Sequence, residues 1–220
     1  MERIDSTLFH LVEPPRNPAG KKYPAIILLH GLGANEEDLL GLSSSLDERF
    51  LIISVRAPFP SQFSGGYTWY DIGEVGRPEP AKFTISYSKL SQFVDDALRG
   101  YPVNPEHLYL LGFSMGSVMA YALSLTRPSL FRGVVANSGY LAEGTHLSYQ
   151  WDQLDNVNFF VAHGTQDPVI PVTMARHAKE QLENAHARLD YREYPMAHQI
   201  SEESLQDSSR WLTHHLNSLP

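Results

Sequence analysis

Residues 108–125 read LYLLGFSMGSVMAYALSL, an apolar run that stops at a tight glycine-containing motif and then changes to a helical pattern. Within it, residues 112–116 form a G-x-S-x-G motif between a predicted strand and a predicted helix, which is the context of a nucleophile elbow. The bare motif is common by chance, so this context is what makes it informative. A serine on such a sharp turn exposes its hydroxyl, and the crowding of the turn requires small residues two positions before and after it. The stretch predicts Ser114 as a catalytic nucleophile.

Short apolar runs recur on both sides of this stretch, at 25–30, 51–55, 134–138 and 159–162. They are continuous rather than alternating, as strands buried on both faces are. Helical patterns cover roughly 35–48, 86–99, 115–126 and 172–185, followed by a last strand at 187–194 and a terminal helix at 201–217. Residues 6–13 alternate and indicate an antiparallel edge strand. The chain is therefore predicted to be α/β, with a mostly parallel central sheet, helices on both faces, and one domain over residues 1–220.

Composition narrows the classes of function. The formal net charge is -8 and no basic run is present, which argues against a nucleic-acid partner or an anionic membrane surface. The sequence contains neither an apolar leader nor 18 consecutive apolar residues, so we expect a cytoplasmic protein without stable membrane insertion. With no cysteine, no H-E-x-x-H motif and no ligand spacing among the histidines, we expect no metal site.

A serine nucleophile needs a base, and the base needs a third group to orient it. In sheets of this type, catalytic groups gather beyond the carboxyl ends of the strands. Asp167 follows one predicted strand in HGTQDPVIP, and His198 follows the next in PMAHQI. The chain order Ser114, Asp167, His198 is the order of α/β-hydrolases. Asp152 and Asp155, in the preceding loop, remain alternatives for the acid.

The other histidines considered for the base fit ordinary structural roles better. Two of them, His30 and His163, precede glycines at strand ends and are expected to be polar core residues. Four others are expected in or at the ends of helices, as surface or packing residues: His177, His186, His214 and His215.

The segment HGLGANEEDL, residues 30–39, has a glycine turn followed by an acidic stretch that resembles a capped first helical turn under Asn35. Such turns present backbone N–H groups to an anion. A dinucleotide fingerprint would need glycine where Glu36 stands, so the pyrophosphate interpretation is weak. In ester hydrolysis the anion is the tetrahedral intermediate, bound by the N–H after the nucleophile and by one from this loop. These donors are predicted to be Met115 and Leu32.

Residues 56–85 form a long segment rich in proline, glycine and aromatic residues. Ordered loops of this length are usually functional, although a surface loop that packs its own aromatics is the alternative. We expect Phe63, Trp69 and Tyr70 to line an apolar acyl groove. Only residues 139–157 separate the strand after the nucleophile helix from the next one, which is too few for a separate cap domain.

Several segments in this order resemble the phospholipase/carboxylesterase family, which includes bacterial carboxylesterases and acyl-protein thioesterases. They are LLHGLGANEEDL, SVRAPFP, WYD, LLGFSMGS, NSGYL, HGTQDPVIP and AHQI, and the resemblance spans about residues 8–216. One departure is Met115 with Ser117, where the family often has GFSQGG. The resemblance implies an α/β-hydrolase fold, the triad of Ser114, Asp167 and His198, and Trp69 in the pocket.

The activity expected from these residues is that of a cofactor-free serine carboxylesterase acting on small-molecule esters with short to medium acyl chains. An acyl-protein thioesterase or a lysophospholipase is the alternative within the family, and a non-catalytic binding module is the alternative outside it. The oligomeric state stays open, with a homodimer as one outcome.

Overall fold

The computed structural model describes residues 1–18, 20–62 and 65–218. Its strands are β1 (His10–Glu13), β2 (Tyr23–Leu29), β3 (Leu51–Val55), β4 (Phe59–Pro60), β5 (Tyr67–Thr68), β6 (Val103–Phe113), β7 (Gly133–Asn137), β8 (Asn158–Gly164) and β9 (Arg188–Tyr194). Its α-helices are α1 (Pro80–Gly100), α2 (Met115–Thr126), α3 (Val172–Asn184) and α4 (Glu202–Asn217).

Seven strands form one sheet in the order β1-β3-β2-β6-β7-β8-β9. Every neighbouring pair is parallel except β1 with β3, where His10 pairs with Val55 in antiparallel register. The predicted parallel sheet with an antiparallel edge strand is confirmed. Because the central strands run the same way, their carboxyl ends meet at one edge of the sheet.

The sheet is buried on both faces, and alternate residues of each strand enter different cores. In β2, Ile27 and Leu29 contribute to the larger core, whereas Ile26 and Leu28 contribute to the smaller one. The buried apolar side chains of α1 and α2, with Ala178 and Leu182 of α3, belong to the larger core, and those of α4 belong to the smaller one. This two-sided burial explains the continuous apolar runs of the sequence and confirms helices on both faces.

Two segments differ from the sequence predictions. Residues 35–48 do not form an α-helix; they contain a 3₁₀ helix, Leu39–Ser45, and the Asn35 side chain caps only a turn by accepting a hydrogen bond from the Glu37 N–H. Gly41 and the serines that follow have weak helix propensity, which explains the shorter element. In contrast, α1 begins earlier than predicted, at Pro80, where the Glu79 carboxylate accepts hydrogen bonds from the first turn.

The early start of α1 shortens the long aromatic loop, whose described part contains the small β4–β5 hairpin. Between β7 and β8, residues 138–157 are all described and contain only one 3₁₀ turn, Trp151–Gln153. No separate cap covers the carboxyl edge of the sheet in the described chain. None of the described helices combines the length and the hydropathy needed to cross a bilayer.

Candidate active site

Ser114 occupies the turn between β6 and α2, with φ 55° and ψ −121°. Few residues other than glycine adopt a positive φ, so this backbone is strained. The neighbouring glycines allow this turn because a side chain at either position would collide with nearby backbone atoms. A Cβ on Gly116 would lie 1.8 Å from the carbonyl oxygen of Leu29, and one on Gly112 would lie 2.5 Å from the backbone of Gly116. The requirement for small residues on both sides of the serine is therefore confirmed.

His198 lies between the other two predicted residues. Its Nε2 is 3.0 Å from Oγ of Ser114, and its Nδ1 is 2.7 Å from Oδ2 of Asp167. Three side chains that are far apart in the sequence thus form one hydrogen-bonded chain. An imidazole that donates through Nδ1 to a carboxylate has its Nε2 lone pair available to accept the serine proton.

The Asp167 side chain is fully buried, yet it remains charged. Burial by itself raises its pKa, but hydrogen bonds from His198 and from the N–H groups of Ile170 and Val169 outweigh burial and lower the pKa overall. The alternative acids, Asp152 and Asp155, are exposed in the loop before β8. Among the described residues, no hydrogen bond joins either of these carboxylates to His198.

The glycine turn after β2 lies against the nucleophile. A Cβ on Gly31 would be 3.3 Å from Cβ of Ser114, so this glycine permits the close approach of the two loops. Leu32 and Met115 both line the cavity that contains Ser114 and His198. The two backbone N–H groups predicted to bind an oxyanion therefore belong to segments that border the serine.

The cavity at this site has a volume of about 350 Å³ and is mostly apolar. This volume is near the lower end of the range for small-molecule sites. Its lining consists of Leu32, Tyr70, Ile72, Val75, Phe113, Ser114, Met115, Tyr140, Val169, Ile170 and His198. Within the described residues, no cluster of three or more His, Cys, Asp or Glu side chains is arranged to hold a metal ion.

Comparison with known proteins identifies the family of this chain. The phospholipase/carboxylesterase family model matches residues 12–216. The chain belongs to the phospholipase/carboxylesterase family. It is accordingly an enzyme of the serine hydrolase superfamily with an α/β-hydrolase fold, of the esterase and thioesterase type.

Individual relatives are distant but match over most of their length. Acyl-protein thioesterase 1 of Candida albicans is 26% identical over 218 residues, which cover 90% of this chain and 94% of that protein. A probable carboxylesterase of Arabidopsis thaliana, SOBER1-like, is 28% identical over 211 residues, covering 88% and 79% of the two chains. The crystal structure of the Bacillus cereus carboxylesterase superimposes with a TM-score of 0.82 at 23% identity, covering 94% of each chain, which shows the shared fold.

The aromatic residues expected in the groove of this family member have different positions. Tyr70 lines the cavity, and its hydroxyl is 3.0 Å from the hydroxyl of Tyr140. Trp69 is completely buried, and its indole Nε1 donates to the carbonyl of His30 at 2.9 Å. Its indole therefore contacts the turn after β2, and Trp69 is not among the residues that line the cavity, so its contact with substrate stays a prediction. Phe63 lies outside the described residues.

The sequence did not reveal what the two strand-end histidines contact. His30 donates through Nδ1 to the carbonyl of Gly31 at 2.7 Å and accepts the Ala57 N–H through Nε2 at 3.0 Å. These contacts require the neutral imidazole. Burial lowers the pKa of His30, which also favours the neutral form. His163 donates through Nε2 to the carbonyl of Ile170 at 2.8 Å. Each histidine follows the apolar end of a strand and precedes a glycine, and that pattern was the signal available in the sequence.

Proposed function

We propose that this enzyme hydrolyses carboxylic esters by nucleophilic catalysis at Ser114. The observation that carries the proposal is the position of His198, within hydrogen-bond distance of both the Ser114 hydroxyl and the Asp167 carboxylate. Acyl transfer by a serine needs an adjacent general base, and in the Ser-His-Asp arrangement this base lies between nucleophile and acid.

In the proposed reaction, Oγ of Ser114 attacks the ester carbonyl carbon while Nε2 of His198 takes the hydroxyl proton. The tetrahedral intermediate collapses when His198 returns this proton to the leaving alcohol, which leaves an acyl-serine. Water then attacks the acyl-serine, again giving a proton to His198, and the carboxylic acid departs as Ser114 regains its proton. Asp167 holds the imidazole in one tautomer and stabilises its protonated form.

The oxyanion of each intermediate is proposed to accept hydrogen bonds from the backbone N–H groups of Leu32 and Met115. Backbone donors fixed before the substrate arrives stabilise developing charge more effectively than water does. A methionine at position 115 does not interfere, because the donor is its backbone.

The size and lining of the cavity support acyl groups of short to medium length. A volume of about 350 Å³, bordered by Val169, Ile170 and Tyr140, accommodates a small apolar chain. Exposed apolar side chains, among them Ile72 and Val169, stand at the cavity and could contact only the outer part of a longer chain. We infer that residues 1–220 form one domain and that its substrate is a small ester.

A thioesterase activity is the second candidate, and it is favoured by the relatives named acyl-protein thioesterase. The proposed mechanism serves both bond types, since the thiol or alcohol leaves in the same step. An assay with esters and thioesters that share the same acyl groups separates the two functions. We expect kcat/KM for short oxygen esters to exceed that for the matched thioesters, and the reverse order would assign the enzyme to the thioesterases.

A further inference from the structure

The guanidinium of Arg56 joins two segments that enclose the turn after β2. Arg56 directly follows β3, and its backbone N–H donates to the carbonyl of Phe9. Its side chain makes two hydrogen bonds to the carboxylate of Glu36, and Nη1 donates to the hydroxyl of Tyr67 at 3.0 Å. The guanidinium carbon also lies over the rings of Phe9 and Tyr67, at 4.2 and 4.5 Å from the ring centroids.

The backbone of Tyr67 forms hydrogen bonds with the turn after β2. The Gly33 N–H donates to the carbonyl of Tyr67, and the Tyr67 N–H donates to the carbonyl of Ala34, each at 2.8 Å. The approach is so close that a Cβ on Gly66 would lie 2.1 Å from the carbonyl oxygen of Gly33. The Arg56 side chain therefore holds both Glu36, just after the turn, and Tyr67, the residue paired with it.

Leu32 lies in the turn that these contacts hold, one residue before Gly33. A peptide group is planar, so the direction of the Leu32 N–H depends on how the backbone on either side is held. A donor for an oxyanion has to be fixed within about 0.5 Å and 10–20° of its productive geometry. Arg56 and Glu36 hold the backbone that follows Leu32, and the hydrogen bond from His30 to Gly31 holds the residue before it.

We propose that Arg56 and Glu36 are positioning residues for the oxyanion hole, because their ion pair locks the turn that carries the Leu32 N–H against Tyr67. The inference rests on the proposed function, in which Leu32 is an oxyanion donor. Neither side chain lines the cavity, so the pair acts on substrate only through the backbone it holds.

The chemistry of the pair suits this role. Three directed N–H donors are needed, two for a carboxylate and one for a hydroxyl, and arginine provides them in a rigid planar fork that lysine lacks. Only 3% of Glu36 is exposed. Burial alone raises the pKa of Glu36, but the hydrogen bonds from Arg56 lower it overall, so the carboxylate stays charged. Loss of the guanidinium would leave a buried charge without its partner.

The opposite end of β3 offers a matched control. Arg49 precedes this strand and makes a similar two-point pair with Asp47, at 2.8 Å for each contact. This pair lies away from the serine, at the amino end of a strand whose carboxyl end faces the site. Arg49→Met and Arg56→Met each remove a two-point arginine–carboxylate pair, one local and one between distant segments, and only the second is expected to affect catalysis.

The experiment compares kcat, KM and the affinity for an alkyl trifluoromethyl ketone, which forms an oxyanion on a nucleophilic serine. In Arg56→Met we expect kcat to fall about 10- to 100-fold, less than the 10²–10³ expected for deleting an oxyanion donor, because the donor is displaced rather than removed. KM should change less than about threefold, and the affinity for the ketone should fall in parallel with kcat. Arg56→Lys should recover part of the loss, and Arg49→Met should retain wild-type values.

The double variant Arg56→Met with Glu36→Met separates positioning from stability, because apolar residues of similar size often replace a buried ion pair without loss of stability. We expect it to melt near the wild-type temperature while kcat and ketone affinity remain low. Wild-type kcat and ketone affinity in the folded double variant would overturn the proposal. Failure of the proposed function is distinguishable, because Ser114→Ala would then keep its activity whatever happens at Arg56.

Discussion

Nε2 of His163 lies 3.4 Å from Oδ2 of Asp167, and both side chains are fully buried. The same carboxylate oxygen accepts the hydrogen bond from Nδ1 of His198. Burial lowers the pKa of His163, so its imidazole is neutral. The negative charge of Asp167 is therefore available to stabilise a positive charge on His198. By donating to the carbonyl of Ile170, His163 also fixes the loop whose N–H groups hold the carboxylate.

Replacing Asp167 by Asn should lower kcat by about 10⁴, the loss known for the aspartate of a serine protease triad. The amide cannot stabilise the imidazolium and favours the wrong tautomer of His198. Steady-state kinetics with a short-chain ester measures the effect, and Asp155→Asn serves as the control with unchanged kcat. Near-normal activity of Asp167→Asn, with inactivation by a substitution at Asp152 or Asp155, would transfer the role of the acid to that residue.

A fluorophosphonate should modify Ser114 and leave Ser117 and Ser138 unmodified. The Ser117 hydroxyl donates to the carbonyl of Asn137 and Ser138 is fully buried, whereas Oγ of Ser114 borders the cavity next to a base. Peptide mass spectrometry locates the adduct. Ser114→Ala should lower kcat by several orders of magnitude and prevent labelling. An adduct at another serine would refute the elbow as the nucleophile site.

Gly116→Ala should destabilise the fold by about 3 kcal/mol or more, because the added Cβ would lie 1.8 Å from the carbonyl oxygen of Leu29. Chemical denaturation measures the free energy of unfolding. Gly41→Ala is the control, since a Cβ there meets no atom within 4 Å. Equal stability of the two variants would show that α2 can move away from β2 without cost.

Stability should decrease as the pH falls from about 6.5 to 4, in part because of His215. Burial and the neighbouring His214 lower the pKa of His215 to about 4. The unfolded chain, with an ordinary histidine pKa near 6.5, binds the proton first, so acidification in this window favours unfolding. His215→Gln should reduce the slope of the unfolding free energy by up to about 1.4 kcal/mol per pH unit in this window and leave the slope near pH 8 unchanged. The same slope in both proteins across this window would contradict the shift.

The rate should be highest for esters with short to medium acyl chains. The cavity is small, and no separate cap closes over it in the described chain. A homologous series of esters, assayed below and above their solubility limits, tests this expectation. Long-chain triglyceride emulsions should be poor substrates, and a sharp increase in rate at the emulsion interface would indicate a lipase instead.

The amino-acid sequence was sufficient for features that depend on neighbouring residues. Continuous apolar runs predicted the parallel sheet because both of its faces are buried, and the glycines around Ser114 marked a turn that tolerates no Cβ. Asp167 and His198 could be proposed because each follows a strand, and parallel strands end at one edge of the sheet. The 3₁₀ helix at Leu39–Ser45 was missed, since weak local propensity near Gly41 overrode the apolar spacing.

Only the tertiary structure decided what depends on contacts between distant segments. An aromatic residue such as Trp69 has the same local pattern whether it is exposed in a groove or buried, and only the structure shows its complete burial and its hydrogen bond to His30. The ion pair of Glu36 and Arg56 connects the segments after two different strands, and its link to Tyr67 exists only because the β4–β5 hairpin folds back onto the turn. Such contacts follow from the packing of the whole chain, because their free energy depends on burial and geometry that no local pattern contains.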